Sequence, residues 1–278
     1  MKPDTRTTLL IALLPALLLG GCGGGSRQGT PDAAASPGCD GSCASASTFL
    51  TVNDVERVLA QGIVEAQTRG VPATFAVTDR VGNVLAVYRM TGANPAGVTL
   101  TTNSGTSGGL EGIVLPGAAD TLAAIAKAVT GAYLSSEGNA FSTRTAGQIV
   151  QDHFNPGEDF QPAGPLFGVQ FSQLACSDLT TSVADGSFGP KQSPLGLSAD
   201  PGGFPLYKNG SVVGGVGVIA DGEYSLDANI LDRDHNLDEL IAYAAAFSYA
   251  APADRRADRI TADGEKLPVN FDLTLNGH

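Results

Sequence analysis

The sequence predicts an α+β domain in which helices cover an antiparallel β-sheet. Two pairs of β-rich segments are each joined by a short turn, which is typical of hairpins. Helical and β-rich segments do not alternate regularly, so nothing indicates the repeated βαβ units of a parallel sheet. The 278 residues allow one large domain or two small ones, and this order of elements favours one, over residues 49–278.

The first predicted elements are a helix and a hairpin. Val52–Ala66 carries apolar residues at helical spacing, and Thr51 or Asn53 is a suitable N-cap. The next two runs, Thr74–Thr78 and Val84–Tyr88, are rich in β-branched and aromatic residues. A Gly-Asn turn lies between them, which predicts the first hairpin.

The middle of the chain combines helices with long irregular segments. Residues 91–117 are rich in Gly, Thr and Ser, which predicts a long loop. Helices are expected over Thr121–Tyr133, which is rich in alanine, and over Thr145–Phe154. Residues 155–203 are dense in Pro and Gly, and we interpret them as a long insertion in the domain.

The last third of the chain predicts a second hairpin and a final helix. Phe204–Tyr207 and Val212–Ile219 flank an Asn-Gly turn, and Leu237–Phe247 is strongly amphipathic. Ile260–Leu273 is expected to close the chain with a short pair of strands.

The N-terminus has the features of a bacterial export signal. Two basic residues precede Leu9–Leu19, an apolar run that is too short to span a bilayer but suits a signal peptide. The small residues before Cys22 resemble a lipobox, which implies removal of residues 1–21 and diacylation of the cysteine. Gly23 resembles the outer-membrane sorting pattern of Gram-negative bacteria, so we expect a lipid-anchored protein of the cell envelope, facing the periplasm or the cell surface. The alternative is an ordinary signal peptide with an incidental cysteine.

Residues 22–48 are almost entirely small or polar, which predicts a flexible tether. Cys39 and Cys43 lie within it, and in an oxidising compartment a local disulfide between them is the leading interpretation. Cys176 then remains as a buried thiol or as the partner of one tether cysteine, and the sequence does not decide between these.

The charge of the chain excludes one class of partner. There are 16 Lys and Arg residues against 28 Asp and Glu residues, a formal net charge of −12. An acidic protein offers no extended basic surface that could displace counterions from phosphates, so we expect no nucleic-acid partner.

Several segments, in this order, resemble the GlcG/HbpS-like family, whose members are often called haem-degrading or haem-binding. The segments that carry the resemblance are the first helix and the stretches 76–84, 125–131, 141–146, 202–207, 210–218 and 237–242. The resemblance implies an antiparallel sheet flanked by helices with profilin-like layering, homo-oligomerisation, and binding of haem or a related tetrapyrrole. This chain departs from the compact family pattern in its long insertion and in the acidic start of its last helix.

The candidate ligand-binding residues lie mainly in the family-like middle segment. Lys127, Thr130 and Arg144 belong to it, and the two cations could pair with propionates; Arg144 could equally form a buried ion pair. A haem iron needs an axial ligand, for which His153 is the first candidate, beside His235 and Tyr133. A histidine near a helix C-terminus, such as His153, is also stabilised by the helix dipole without any ligand.

An acidic stretch before the last helix allows two interpretations. Oxygen-bearing side chains alternate along it, as in the first half of a calcium loop: Asp232, Asp234, Asn236 and Asp238. The positions that would need Gly and Glu in an EF-hand are occupied by Leu237 and Tyr243, so it is not an EF-hand. The other interpretation, which we favour, is a capped helix start with acidic residues in its first turn.

The leading functional hypothesis is an envelope lipoprotein that binds haem or a similar planar molecule as a sensor, carrier or scavenger. The alternatives are an enzyme of the same fold that acts on a tetrapyrrole or small metabolite, and a structural protein stabilised by calcium. No recognisable catalytic constellation is present in the sequence, which favours binding over catalysis.

Overall fold

A four-stranded antiparallel sheet forms the centre of the described domain. The structure, a computed structural model, describes residues 49–101, 112–115, 117–150, 195–226 and 235–259, with shorter pieces at 164, 166, 168–169, 171–172, 193, 261–262 and 265–266. The sheet strands are β1 (Thr74–Asp79), β2 (Val84–Arg89), β4 (Gly203–Lys208) and β5 (Ser211–Ile219). They lie in the order β2-β1-β5-β4. The predicted signal peptide, tether, cysteines and His153 lie outside the described residues, as does most of the predicted insertion.

Within the described residues, four α-helices accompany the sheet: α1 (Val52–Arg69), α2 (Ala119–Tyr133), α3 (Thr143–Ile149) and α4 (Leu237–Ala246). Short 3₁₀ turns follow at Phe247–Tyr249, Ala253–Arg255 and Ala257–Arg259. The α1 helix begins at a capping box, in which Thr51 Oγ1 accepts a hydrogen bond from Asp54 N and Asp54 accepts one from Thr51 N. No helix in the described part of the chain is long and apolar enough to span a membrane.

The two predicted hairpins are confirmed. β1 pairs with β2, and β4 pairs with β5, both antiparallel. Asn209 and Gly210 have φ values of 50° and 82°, the left-handed conformation that a type I′ hairpin turn requires. The C-terminal pair, β7 (Thr261–Ala262) and β8 (Glu265–Lys266), is also antiparallel, as expected.

Helices cover both faces of the sheet. On one face α1 and α4 pack on apolar strand residues, and the buried cluster includes Val58, Val77 and Val216. On the other face α2 packs on the sheet through alanines such as Ala124 and Ala128. The predicted α+β class, an antiparallel sheet flanked by helices, is therefore confirmed.

The expectation of a continuous loop over 91–117 was wrong at one place. Thr99–Thr101 forms strand β3, which pairs in parallel with β6 (Glu223–Ser225). Leu100 and Tyr224 are both buried in the same apolar cluster. The partner strand lies far away in the sequence, so local composition gave no sign of this pairing.

Candidate functional site

The predicted ligand residue Lys127 lies in a buried ion cluster. Its Nζ lies 2.6 Å from Asp200 Oδ2 and 2.5 Å from Asp238 Oδ2, and it donates a hydrogen bond of 2.9 Å to Val218 O. All three side chains are at most 1% exposed. Lys127 thus donates hydrogen bonds to Asp238 Oδ2 and Val218 O, and it pairs with Asp200 through a close contact of opposite charges.

The two carboxylates of this cluster share one ammonium. Burial raises the pKa of Asp200 well above its ordinary value, and burial together with the charge of Asp221 raises the pKa of Asp238 to about 6, although Lys127 opposes both shifts. Burial would lower the pKa of Lys127, but the charges of Asp200 and Asp238 outweigh burial and raise it. The cluster therefore favours holding one extra proton.

Thr130 and Arg144 are also buried beside this cluster. Thr130 Oγ1 donates to Ala126 O at 2.7 Å and accepts from Ser198 N at 2.8 Å. Arg144 Nε donates to Glu239 Oε2 at 2.7 Å, which matches the ion-pair alternative for this residue. The structure thus gathers Lys127, Thr130 and Arg144 on one side of the domain, where their described partners are protein groups; a ligand contact by any of them stays a prediction.

The acidic stretch starts the last helix as the capping interpretation predicts. Asn236 is the N-cap of α4, and its side chain accepts a hydrogen bond from Glu239 N. Asp238 faces inward, and its Oδ1 accepts hydrogen bonds from Ala220 N and Asp221 N. Asp232 and Asp234 lie outside the described residues, and within the described ones no group of three metal-ligating side chains is found.

The other two candidates for an iron ligand lie elsewhere. His235 is exposed just before α4. Tyr133 is 47% exposed at the end of α2, and its hydroxyl donates a hydrogen bond of 2.9 Å to Val81 O. Tyr133 borders a shallow depression of about 430 Å³ together with Arg80.

A second concave site, which we call the β4 cavity, lies beside the edge strand β4. Its volume is about 320 Å³, and its walls come from β4, α3, α4 and the 3₁₀ turns. The lining residues are Ala140, Ser142, Thr145, Phe204, Pro205, Tyr243, Ala246, Ala250, Ala251, Arg256 and Ala257. Proline donates no backbone hydrogen bond and is therefore accommodated in an edge strand such as β4.

The walls of the β4 cavity are aromatic and aliphatic, with one cation. Phe204 and Tyr243 pack edge to face, with ring centroids 5.8 Å apart. The exposed Arg256 side chain donates one hydrogen bond, from Nε to Ala251 O at 3.1 Å. The described lining contains no carboxylate, imidazole or thiol. Such a surface suits a flat apolar molecule that carries a negative charge.

Sequence reasoning singled out none of the side chains of this cavity as ligand residues. Phe204 and Pro205 lie in a family-like segment, but alanines carry no chemical signal, and Arg256 lies in a short irregular stretch. The cavity exists because the 3₁₀ turns after α4 fold back towards β4 and α3. That arrangement depends on tertiary packing, which local sequence patterns do not predict.

Residues 50–103 match the model of a protein family described as haem degrading protein HbpS-like. The match covers α1, the first hairpin and β3, and it confirms the resemblance to the GlcG/HbpS-like family. No curated protein matches the chain.

Three solved structures resemble the fold at low sequence identity. A haem complex of PduOC is 17% identical over 72% of this chain and 94% of its own, with a TM-score of 0.41. The protein ORFY of Klebsiella pneumoniae is 18% identical over 72% and 90%, with a TM-score of 0.40. A double mutant of HbpS from Streptomyces reticuli is 19% identical over 73% and 89%, with a TM-score of 0.39.

Proposed function

We propose that this HbpS-like chain binds haem or a related planar tetrapyrrole in the β4 cavity, as a carrier, sensor or scavenger. The observation that carries the proposal is the composition of the cavity, whose apolar and aromatic walls include one arginine and one tyrosine. The match of residues 50–103 to a family described as haem degrading supports the choice of ligand.

The residues of the cavity fit a porphyrin in part. Haem needs apolar walls, a ligand for its iron and cations for its propionates. Phe204 and Pro205 supply walls, Tyr243 supplies a phenol oxygen, and Arg256 supplies a guanidinium. The volume of about 320 Å³ is at the lower end of the range of about 300–1,000 Å³ found for small-molecule sites. The cavity would therefore hold one edge of the macrocycle.

The chain's own residues would bind and orient the ligand. The aromatic and alanine walls exclude water from the enclosed edge, and Arg256 holds a carboxylate at the rim. When bound, haem would contribute a redox-active iron. The described cavity lining consists of apolar, hydroxyl-bearing and guanidinium side chains, which suit the binding of an apolar acid.

Titration of hemin into the mature chain tests the proposal directly. We expect a saturable Soret shift in the wild type, and at least tenfold weaker binding in Ala250→Trp, because an indole at the exposed Ala250 would occupy the cavity rim. Ala60→Trp is the matched control, since Ala60 is exposed on α1. The absence of a saturable shift in the wild type, or equal binding by both variants, would refute the site.

Three single variants identify the iron ligand. Tyr243→Phe keeps the aromatic wall and removes the phenol oxygen, so we expect the bound spectrum to change while binding persists. His153→Ala tests the ligand that the sequence predicted, and His235→Ala tests the exposed histidine before α4. A spectrum that changes in His153→Ala and not in Tyr243→Phe would assign the iron to His153.

We also propose that Cys22 anchors the mature protein to the membrane through acyl chains. The apolar run Leu9–Leu19 and the small residues before Cys22 support this. Cys22→Ser should leave the protein without acyl groups in mass spectrometry and release it from the membrane fraction. Cys176→Ser is the control, and an unmodified Cys22 in the wild type would contradict the anchor.

A further inference from the structure

We propose that Arg256 makes the β4 cavity selective for carboxylic acids with a flat apolar body, an inference that rests on the proposed binding function and names its recognition element. The shared chemistry is a carboxylate beside an aromatic or macrocyclic surface. Its source is either a haem propionate or the carboxyl group of a smaller aromatic acid.

Most of the N–H donors of the Arg256 side chain have no acceptor among the described residues. A guanidinium has five N–H donors, and within the described part of the chain only Nε is used, by Ala251 O at 3.1 Å. That bond fixes the base of the guanidinium at the rim. The two terminal nitrogens can then bind a carboxylate in the two-pronged geometry that arginine favours.

Other arginines of the chain are already engaged with acidic groups. Arg89 pairs with Asp120 at 2.5 Å, Arg69 pairs with Glu65 at 2.6 Å, and Arg144 pairs with Glu239 at 2.7 Å. Arg256 differs because its neighbours on the cavity wall are apolar or hydroxyl-bearing. A ligand that complements this wall has a negative group to pair with the cation and an apolar surface beside that group.

The charge of the whole molecule increases the importance of this one cation. At a net charge of −12 the protein repels anions at long range, so a carboxylate gains nothing from the overall field. Attraction must come from a cation in direct contact, at the place where the apolar part of the ligand is also buried. Arg256 is the cation that lines the β4 cavity.

The test compares acids with their uncharged counterparts in wild type and Arg256→Gln. The probes are hemin, hemin dimethyl ester, 2-naphthoate and 2-naphthalenemethanol, titrated into the mature chain and followed by absorbance or calorimetry. We expect Arg256→Gln to weaken binding of the acids about tenfold or more, and to leave binding of the ester and the alcohol unchanged. Glutamine keeps an N–H donor, and an unchanged melting temperature verifies the fold.

Arg80→Gln is the matched control, because Arg80 is half exposed and borders the other depression, beside Tyr133. Loss of acid binding in Arg80→Gln rather than in Arg256→Gln would overturn the inference, and so would equal binding of acids by wild type and Arg256→Gln. Naphthoate binding that depends on Arg256, without binding of either hemin probe, would uphold Arg256 and refute the haem proposal. Hemin binding that is insensitive to Arg256→Gln would uphold the haem proposal and refute the role of Arg256.

Discussion

Lys127 is the centre of a buried ion cluster that contains Asp200 and Asp238. Its single positive charge faces two buried carboxylates, Asp200 before β4 and Asp238 in α4, so the cluster carries one negative charge too many when both are ionised. Removing the ammonium would leave both carboxylates uncompensated, which typically costs about 3–5 kcal/mol. The cluster joins α2, the segment before β4 and the start of α4.

This excess charge predicts a stability that depends on pH in an unusual direction. Because the pKa of Asp238 is raised to about 6 and that of Asp200 is also raised, the folded state binds more protons than the unfolded chain as pH rises from the ordinary carboxylate value of 3.8 through the pKa of Asp238. The free energy of unfolding should therefore fall as pH rises through this window, by about 1–3 kcal/mol. Asp200→Asn should flatten the slope, as measured by urea unfolding at several pH values.

Asp120, whose pKa is lowered, affects the free energy of unfolding at a lower pH than this window. Burial would raise the pKa of Asp120, but hydrogen bonds from Arg89 and Thr74 outweigh it and lower that pKa. A lowered pKa contributes stability that is lost only as pH falls below the ordinary value of 3.8. For the predicted slope of the free energy of unfolding against pH, Asp254→Asn is the control, because Asp254 is exposed. An undiminished slope in Asp200→Asn would show that the ion cluster does not cause this pH dependence.

Some of these buried charged residues could be identified from the sequence. The family-like segments singled out Lys127 and Arg144, and Arg144 was recognised as a possible ion pair. The partners were not identified, because Asp238 lies 111 residues from Lys127 and belongs to an acidic run that also resembles half of a calcium loop. Spacing alone does not tell whether an acidic residue at a helix start faces solvent, a cation or the interior.

At the scale of elements, α2 lies close to the sheet because glycines occupy the positions of β5 beneath it. A Cβ placed on Gly215 or Gly217 of β5 would overlap the carbonyl oxygens of Ala128 and Ala124 in α2. The small residues on both surfaces bring the helix backbone against the strand. This close approach also positions Lys127, whose Nζ reaches Val218 O.

Gly217→Ala should therefore destabilise the protein. The added methyl group has no space unless α2 moves away from the sheet, and overpacking of this kind typically costs about 1–3 kcal/mol. Gly138→Ala is the control, since the nearest atom to its added Cβ is Ser136 Oγ at 3.7 Å. Urea unfolding midpoints measure both, and equal midpoints would mean that the helix can shift without cost.

The elements themselves were largely predictable because their signals are local. Apolar spacing located α1 and α4, richness in alanine located α2, and the Asn-Gly turn located the hairpin of β4 and β5. The parallel pair of β3 and β6 could not be found this way, since its strands have only three residues each and belong to distant segments. The walls of the β4 cavity were missed for a related reason, since they come together from separate parts of the chain.

At the scale of the whole molecule, β2 forms an edge of the sheet that the described residues build, and it carries apolar side chains on its surface. Val84, Leu85, Val87 and Tyr88 are each 41–42% exposed. Edge strands that stay unpaired usually carry charged side chains, whereas β2 has only Arg89, whose guanidinium is held by Asp120. An edge without this protection is suited to pairing with the same strand of a second copy around a two-fold axis, which buries the same residues twice.

We therefore expect the mature chain to self-associate through β2, in keeping with the homo-oligomer that the family resemblance implies. Leu85→Lys should shift the protein towards the monomer, because pairing two β2 strands would bring the new charges together in an apolar interface. Val64→Lys is the matched control, since Val64 is 48% exposed but lies on α1. Sedimentation at several concentrations measures the mass, and a monomeric wild type, or an oligomer that persists in Leu85→Lys, would exclude β2 as the interface.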